Sequence, residues 1–376
     1  MLDPRIHKLA ELLIDHSTRL QPGEKVLIEA FDLPDPSLVT CLVELARDRG
    51  GLPVVFWKNN AVRRSLLLHG NADTFALQGD IEAHAMEQMD AYIGIRGSAN
   101  NNELADVPSG QMQLFQEHCW QKVHHALRVP KTKWVVLRYP TPSMAQAAQR
   151  STEDFENFYF RVCTADYPKL KENQKPLQAR MEAASDVRIT APDTDLSFSI
   201  AGIPVVASHG LRNIPDGEMF TAPIRDSVNG VITYNTKSLY QGVVFDRIHF
   251  EFKDGKIVDA SCANGQTKRL NEILDTDEGA RYIGEWSLGL NNEITEPMLD
   301  TLFDEKIGGS LHLTPGNAYD TADNGNRSNV HWDIVLIQTK AFGGGEVWFD
   351  SELLRKDGFF VPDDLQPLNE GLQSGV

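Results

Sequence analysis

The chain is poor in several things that would assign it to a common class. Its 376 residues contain four cysteines, Cys41, Cys119, Cys163 and Cys262. They lie far apart and form no C-x-x-C pair, which argues against a disulfide framework and for buried thiols in a reducing compartment. No apolar run approaches the length of a membrane span. The opening MLDPRIHKLAELLIDHS lacks the cationic start, apolar run and small-residue cleavage site of a signal peptide, so the cytoplasm is the expected location. Basic charge is short as well: 36 Lys and Arg stand against 53 Asp and Glu, a net charge of −17. A phosphate backbone or an anionic membrane would be repelled, so neither nucleic acid nor membrane is an expected partner. Neither G-x-G-x-x-G nor G-x-x-x-x-G-K-[ST] follows a strand-like run of the first half, which leaves a nucleotide site there without support.

What is present is the composition of an ordinary globular protein, 41% hydrophobic and 24% charged, long enough for two domains. In the first half, strand-like runs at 24–30, 52–57, 91–95 and 134–137 alternate with helical ones at 7–20, 36–49, 61–69, 82–89 and 109–128. Asp35 is placed to cap the second helix, which has Pro36 at its start and Gly50-Gly51 at its end. The alternation predicts an α/β domain with a mostly parallel sheet over residues 1–185, with 166–185 as the connection. The polar loop Arg96 to Glu103 follows a strand, where such sheets bind ligands, although a plain turn is the commoner role.

The texture then changes. Apolar runs flank Pro192-Asp193-Thr194-Asp195, Asp254-Gly255 and Asp357-Gly358, which are hairpin signals. Residues 186–376 are therefore expected to form an α+β domain rich in antiparallel strands, with helices at 266–274 and 278–288.

The chemistry gathers in this second half. His331 and Asp333 flank Trp332 in a β-rich run, 330–337, so both should point to one face of a strand, about 7 Å apart along it. An imidazole and a carboxylate so placed make a half-site for a divalent metal. His312 sits in the alternating run 310–314. Glu218 and Glu285 stand among apolar neighbours, where a carboxylate is costly unless it meets a cation or a metal. Taken singly, each has a plainer role: a polar residue on a wet sheet face, a turn cap, or a partner for Arg281 or Arg327.

Read together and in order, PDGEMFTAP, GARYIGEWSLG, LFDEKIGGSLHLTPGNAY and VHWD resemble the thermophilic aminopeptidase family of metallo-aminopeptidases. The resemblance extends to LAELLIDHSTRLQPGEKVLIEA and EVWFDSELLRKDGFF, and so to nearly the whole chain. It departs at Met219, where Val is commoner, and at Thr314-Pro315 before Gly316; neither change alters a ligand type. The resemblance implies two neighbouring divalent metals, with ligands at Glu218, Glu285, His312, His331 and Asp333 and an active-site tyrosine at Tyr319. Three carboxylates and two imidazoles suit Zn, Co, Mn or Mg without selecting sharply among them. The implied reaction is hydrolysis of the N-terminal bond of peptides with a free amino terminus, with Glu218 or Glu285 shuttling a proton and Tyr319 facing the oxyanion. A homodimer, and an amino-terminal domain that helps to shut the site, are implied with it. A rival within the same architecture is a ring-cleaving dioxygenase holding a single Fe(II) on His312, His331 and Asp333.

Overall fold

A computed structural model describes residues 3–100 and 102–373; Asn101, in the loop after the third strand-like run, lies outside the described residues. Two compact units emerge, residues 1–164 with 210–215, and residues 165–209 with 216–376. The first is built on a parallel sheet in the order Leu52–Lys58, Lys25–Phe31, Ala91–Arg96, Lys133–Arg138, Asn213–Ile214. Its central strands are buried almost throughout, as expected when helices cover both faces of a parallel sheet. The helix Ser37–Asp48 starts one residue later than expected, with Pro36 and not Asp35 at its N-cap, although Asp35 Oδ1 accepts the Ser37 amide at 2.8 Å, and Gly50 closes the end at φ 76°. Other helices differ in extent. The first runs over Pro4–Glu11 and continues as a π-helical turn, Leu12–Ser17, while 72–87 is helical where only 82–89 was expected.

The second unit carries two antiparallel sheets of eight and five strands and a two-stranded ribbon. The two Asp-Gly hairpins form as predicted, with φ 48° and 81° at Asp254-Gly255 and 48° and 87° at Asp357-Gly358. The core lies between the sheets. Trp286 projects from the five-stranded sheet to within 5.3 Å of Phe198 and 6.0 Å of Phe349, ring centroid to centroid, on the eight-stranded one. The helix Tyr167–Ala183, which coincides with the segment expected to connect the domains, groups with this unit; Leu177 and Met181 join its core.

One expected element is corrected. Residues 278–288 are not a helix: a 3₁₀ turn, Glu278–Arg281, leads into the strand Ile283–Gly289. Residues 285–288 do alternate polar and apolar, but that run is only four residues long and follows directly on the charged stretch 278–281, so the segment reads as one helix by composition. Gly284 completes the reason, since a Cβ there would lie 2.3 Å from the Gly316 carbonyl oxygen. Among the described residues no helix is long and apolar enough to cross a membrane.

Candidate metal centre

The site is built on the five-stranded sheet, whose centre runs Ile334–Ile337, Ser310–Pro315, Ile283–Gly289, Glu218–Thr221. Side chains alternate along a strand. Trp286 and Leu288 turn into the core, as do Leu311, Leu313 and Met219 from the neighbouring strands. The intervening residues therefore share the other face: Glu285 and Ser287, His312 and Thr314, Glu218 and Phe220. Register brings them side by side, with Ser287 opposite His312 and Phe220, and Gly289 opposite Glu218. The helix Tyr167–Ala183 braces this edge, where Gln174 Nε2 donates to the carbonyl of Glu218 at 2.8 Å.

His331 and Asp333 arrive differently from the expected continuous strand. The regular strand starts only at Ile334, and His331 sits in a single bridge opposite Gly316. Their side chains still converge, with His331 Nε2 3.4 Å from Asp333 Oδ1 and 3.7 Å from Glu285 Oε2. His312 Nε2 lies 3.1 Å from Glu285 Oε1 and 3.6 Å from Glu218 Oε2. The donor atoms form two groups, Glu218–Glu285–His312 and Glu285–His331–Asp333, each with its atoms within 4.8 Å of one another. Glu285 is common to both.

The surroundings orient these donors. His312 Nδ1 faces the Glu305 carbonyl at 3.3 Å and His331 Nδ1 the Asn317 carbonyl at 2.9 Å. A carbonyl can only accept, so each Nδ1 carries the proton and each Nε2 is turned to the carboxylates, the arrangement of a metal-binding imidazole. Ser287 Oγ donates to Glu218 Oε2 at 2.9 Å and Thr314 Oγ1 to Asp333 Oδ1 at 2.6 Å. Lys306, 1% exposed, donates to Glu218 Oε1 and lies 2.7 Å from Glu305 Oε1 and 4.0 Å from Asp216 Oδ1.

Crowded carboxylates in a dry site disturb one another's protons. Burial, aided by Asp333 and Glu218 and opposed by His312, raises Glu285. Burial also carries Glu305 well above the carboxylate range, against the pull of Lys306. Burial disfavours a charged His312, yet the hydrogen bond to Glu285 and the Glu218 charge outweigh it and lift that imidazole to about 9. Asp333 is lowered to about 2, because His331 and His312 overcome its desolvation. The cluster thus relieves its crowded carboxylates by holding protons on Glu285 and Glu305, protons that a divalent cation would displace. Glu285 Oε2 is buried with no hydrogen-bond partner. A carboxylate with His312 Nε2 at one oxygen and His331 Nε2 beside its orphaned other one fits a divalent cation.

Tyr319 is 47% exposed, with its ring 4.6 Å from that of His331 and 5.9 Å from that of Phe220, centroid to centroid. Desolvation, then the charges of Glu285 and Asp333, hold its hydroxyl proton more tightly than usual. All six residues named from the sequence meet here. Glu305, Lys306, Asp216, Ser287 and Thr314 were not named. The signal for two of them was the charged pair Glu305-Lys306 set directly before Ile307-Gly308-Gly309 in an apolar stretch.

The fold and the relatives agree with this chemistry. Aminopeptidase 2 of Geobacillus stearothermophilus is 29% identical over 388 aligned residues, covering 89% of this chain and 92% of its own. The solved structure of wild-type AmpT from Thermus thermophilus superposes with a TM-score of 0.81 at 24% identity, over 96% of this chain and all of that one. A 2,5-dihydroxypyridine dioxygenase from Pseudomonas putida shares the fold more loosely, with a TM-score of 0.60 at 13% identity, over 96% of this chain and 98% of its own. Residues 2–345 match the family model described as thermophilic metalloprotease (M29). That family implies a hydrolase working with a divalent metal, which is what the donor set is suited to hold, and the chain belongs to it.

Proposed function

We propose that the chain is an aminopeptidase that hydrolyses the N-terminal bond of peptides with a free amino group, using two divalent ions held by Glu218, Glu285, His312, His331 and Asp333. The observation that carries this reading is the shared carboxylate, Glu285, which belongs to both donor groups. A carboxylate common to both groups can bridge two neighbouring ions. A single ion would use one group and leave the other's buried charge uncompensated. The names of the full-length relatives support the exopeptidase side of the reading.

When bound, the ions (Zn, Co, Mn or Mg) would acidify a water and polarise the scissile carbonyl. The chain's residues do the rest. His312 and His331 present Nε2 because their Nδ1 protons are taken up by carbonyls. Glu285 is committed to both donor groups, so Glu218 is the better placed of the two glutamates to move the proton from the water to the leaving amine. Lys306 and Ser287 hold it in position for that task. Tyr319 keeps its proton and donates a hydrogen bond to the developing oxyanion. The resemblance to the family also supports a homodimer, and a solely monomeric species by light scattering would count against that part.

The test is release of the N-terminal residue from a leucyl peptide, free or N-acetylated, by protein stripped with a chelator and resupplied with Zn, Co, Mn, Mg or Fe(II) in turn. Cleavage of the free-amine peptide alone, restored by a non-redox metal at two ions per chain, is the expected result. The looser likeness to a dioxygenase fold supports a second reading, one Fe(II) on His312, His331 and Asp333. It leaves Glu218, Glu285 and Lys306 without work. No cleavage with any metal, but oxygen uptake with Fe(II) and a dihydroxylated aromatic, would replace the first reading with the second.

A further inference from the structure

The amino-terminal unit has a concave site of its own, with no part in the chemistry above. A cavity of about 590 Å³ opens on one face of the parallel sheet, under the helix Asn60–His69 and the π-helical stretch Gln116–Arg128. Phe31, Lys58 and Arg96, the last residues of three adjacent strands, line it. Register pairs Phe31 with both Lys58 and Arg96, so the three side chains leave the sheet on the same side. The strand order, with the second strand outside the first and the third on the other side, makes the gap between Phe31 and Arg96 the point where the connections diverge. Open α/β sheets bind ligands there, outside the carboxyl ends of the strands.

The charges of this cavity do not balance. Lys58 is matched by Glu29 at 2.7 Å and Glu82 at 2.9 Å. Arg63, Arg96 and Arg128 make no ion pair with any carboxylate among the described residues. Arg128 is only 9% exposed; its Nε donates to His124 Nδ1 at 3.1 Å, and its Nη1 is buried without a partner, as is Nε of Arg63. Their remaining contacts are with aromatic faces: Arg63 over Phe115 at 4.9 Å, Arg96 over Phe31 at 4.9 Å, Arg128 over Trp134 at 4.3 Å. Burial lowers the pKa of Arg63 and Arg128, and the charge of Arg96 adds to the lowering at both. In a chain of net charge −17, three arginines kept from carboxylates in one hollow are unusual. Unpaired donors of this kind are satisfied by an anion from outside. Trp57, Trp120 and Leu66 stand in the wall beside Phe31 and Phe115, and Asn59, Gln78 and the Lys58-paired Glu82 are its further polar members.

We propose that this cavity is a binding site for a small aromatic carboxylate, whose acid group is taken by Arg63, Arg96 and Arg128 and whose ring lies against Phe31, Phe115 and Trp120. The shape follows that of small-molecule sites in general, a mostly apolar hollow with a few convergent polar groups. Every residue used belongs to the amino-terminal unit.

Isothermal titration of the metal-loaded protein with benzoate, phenylpyruvate and indole-3-acetate, and with the neutral indole-3-acetamide, tests this. At least one acid should bind saturably and more weakly as salt rises, and indole-3-acetamide should bind at least about tenfold less tightly than indole-3-acetate. Arg63→Gln and Arg96→Gln should each weaken the acid at least about tenfold, without lowering the unfolding midpoint, because no ion pair is broken. Acid binding unchanged in both variants would place the acid elsewhere, at the metal centre for instance, and overturn the proposal. So would equal affinity for acid and amide, or no saturable binding of any of the three acids at millimolar concentration.

Discussion

The two units handle buried charge in opposite ways. In the carboxy-terminal unit five carboxylates, Asp216, Glu218, Glu285, Glu305 and Asp333, gather around one lysine and two imidazoles. In the amino-terminal unit three arginines share a hollow whose two carboxylates are already taken by Lys58. Neither arrangement is self-sufficient, since desolvated charges of one sign repel unless something neutralises them. The backbones differ to match. Antiparallel strands in register set Glu218, Glu285 and His312 on one face, and the bridge at His331 brings in the rest, giving two donor groups whose atoms each lie within 4.8 Å of one another. Parallel strands that end together leave a hollow at their carboxyl ends, sized for a small molecule. A surplus of charge in each case reports the sign of what is missing.

Removing a donor from the acidic cluster should have the largest effect. His312→Ala and Asp333→Ala are each expected to reduce peptide cleavage by about 10³-fold or more, with loss of bound metal and an unchanged circular dichroism spectrum. Normal turnover in either variant would break the assignment of the donor group to which that residue belongs. Lys306→Met should be the next most severe. It leaves Glu218 and Glu305 without their buried cation and should cost the metal-free protein about 3–5 kcal/mol in urea unfolding. Added divalent metal should recover part of that loss, because it supplies the positive charge from another source. Equal loss with and without metal would show that the lysine and the metal do not answer the same charge.

Tyr319→Phe is expected to lower kcat by about a hundredfold with metal content unchanged. Loss of metal instead would make the hydroxyl part of the ligand set. The last effect concerns the basic unit and pH, and is small near neutrality. Burial first, then Arg128, Arg96 and Lys58 against Glu29, hold His124 at about 3, below its ordinary 6.5. Between these values the unfolded chain binds the proton that the folded one refuses. Stability should therefore fall as pH drops from 6.5 towards 3, by about 1.4 kcal/mol per pH unit for one proton. His124→Gln, which keeps an acceptor for Arg128 Nε, should flatten that part of the urea-unfolding profile. An unchanged slope would mean that His124 does not contribute it.

Much of this was legible in the chain. The β–α alternation of the first half and the Asp-Gly turns of the second fixed the fold class, because both are local signals: period, cap and turn chemistry. The six candidate residues were legible through the motifs around them. The strand Ile283–Gly289 was not, although it carries Glu285, because its polar–apolar alternation spans only four residues and runs on from the charged turn before it. Asp216 and Lys306 gave no sign of converging, being far apart in sequence and 4.0 Å apart only once folded.

By itself, then, the sequence determined the kinds of element, the donor types available for a metal, and the acidic balance that makes a phosphate backbone an unsuitable partner. Tertiary structure alone decided that Glu285 is shared by two donor groups, that Lys306 is their buried counterion, and that three arginines stand together without a carboxylate. The reason is physical: periodicity and turn chemistry act between near neighbours in the chain, whereas electrostatic surplus is a property of what packing brings within a few ångströms.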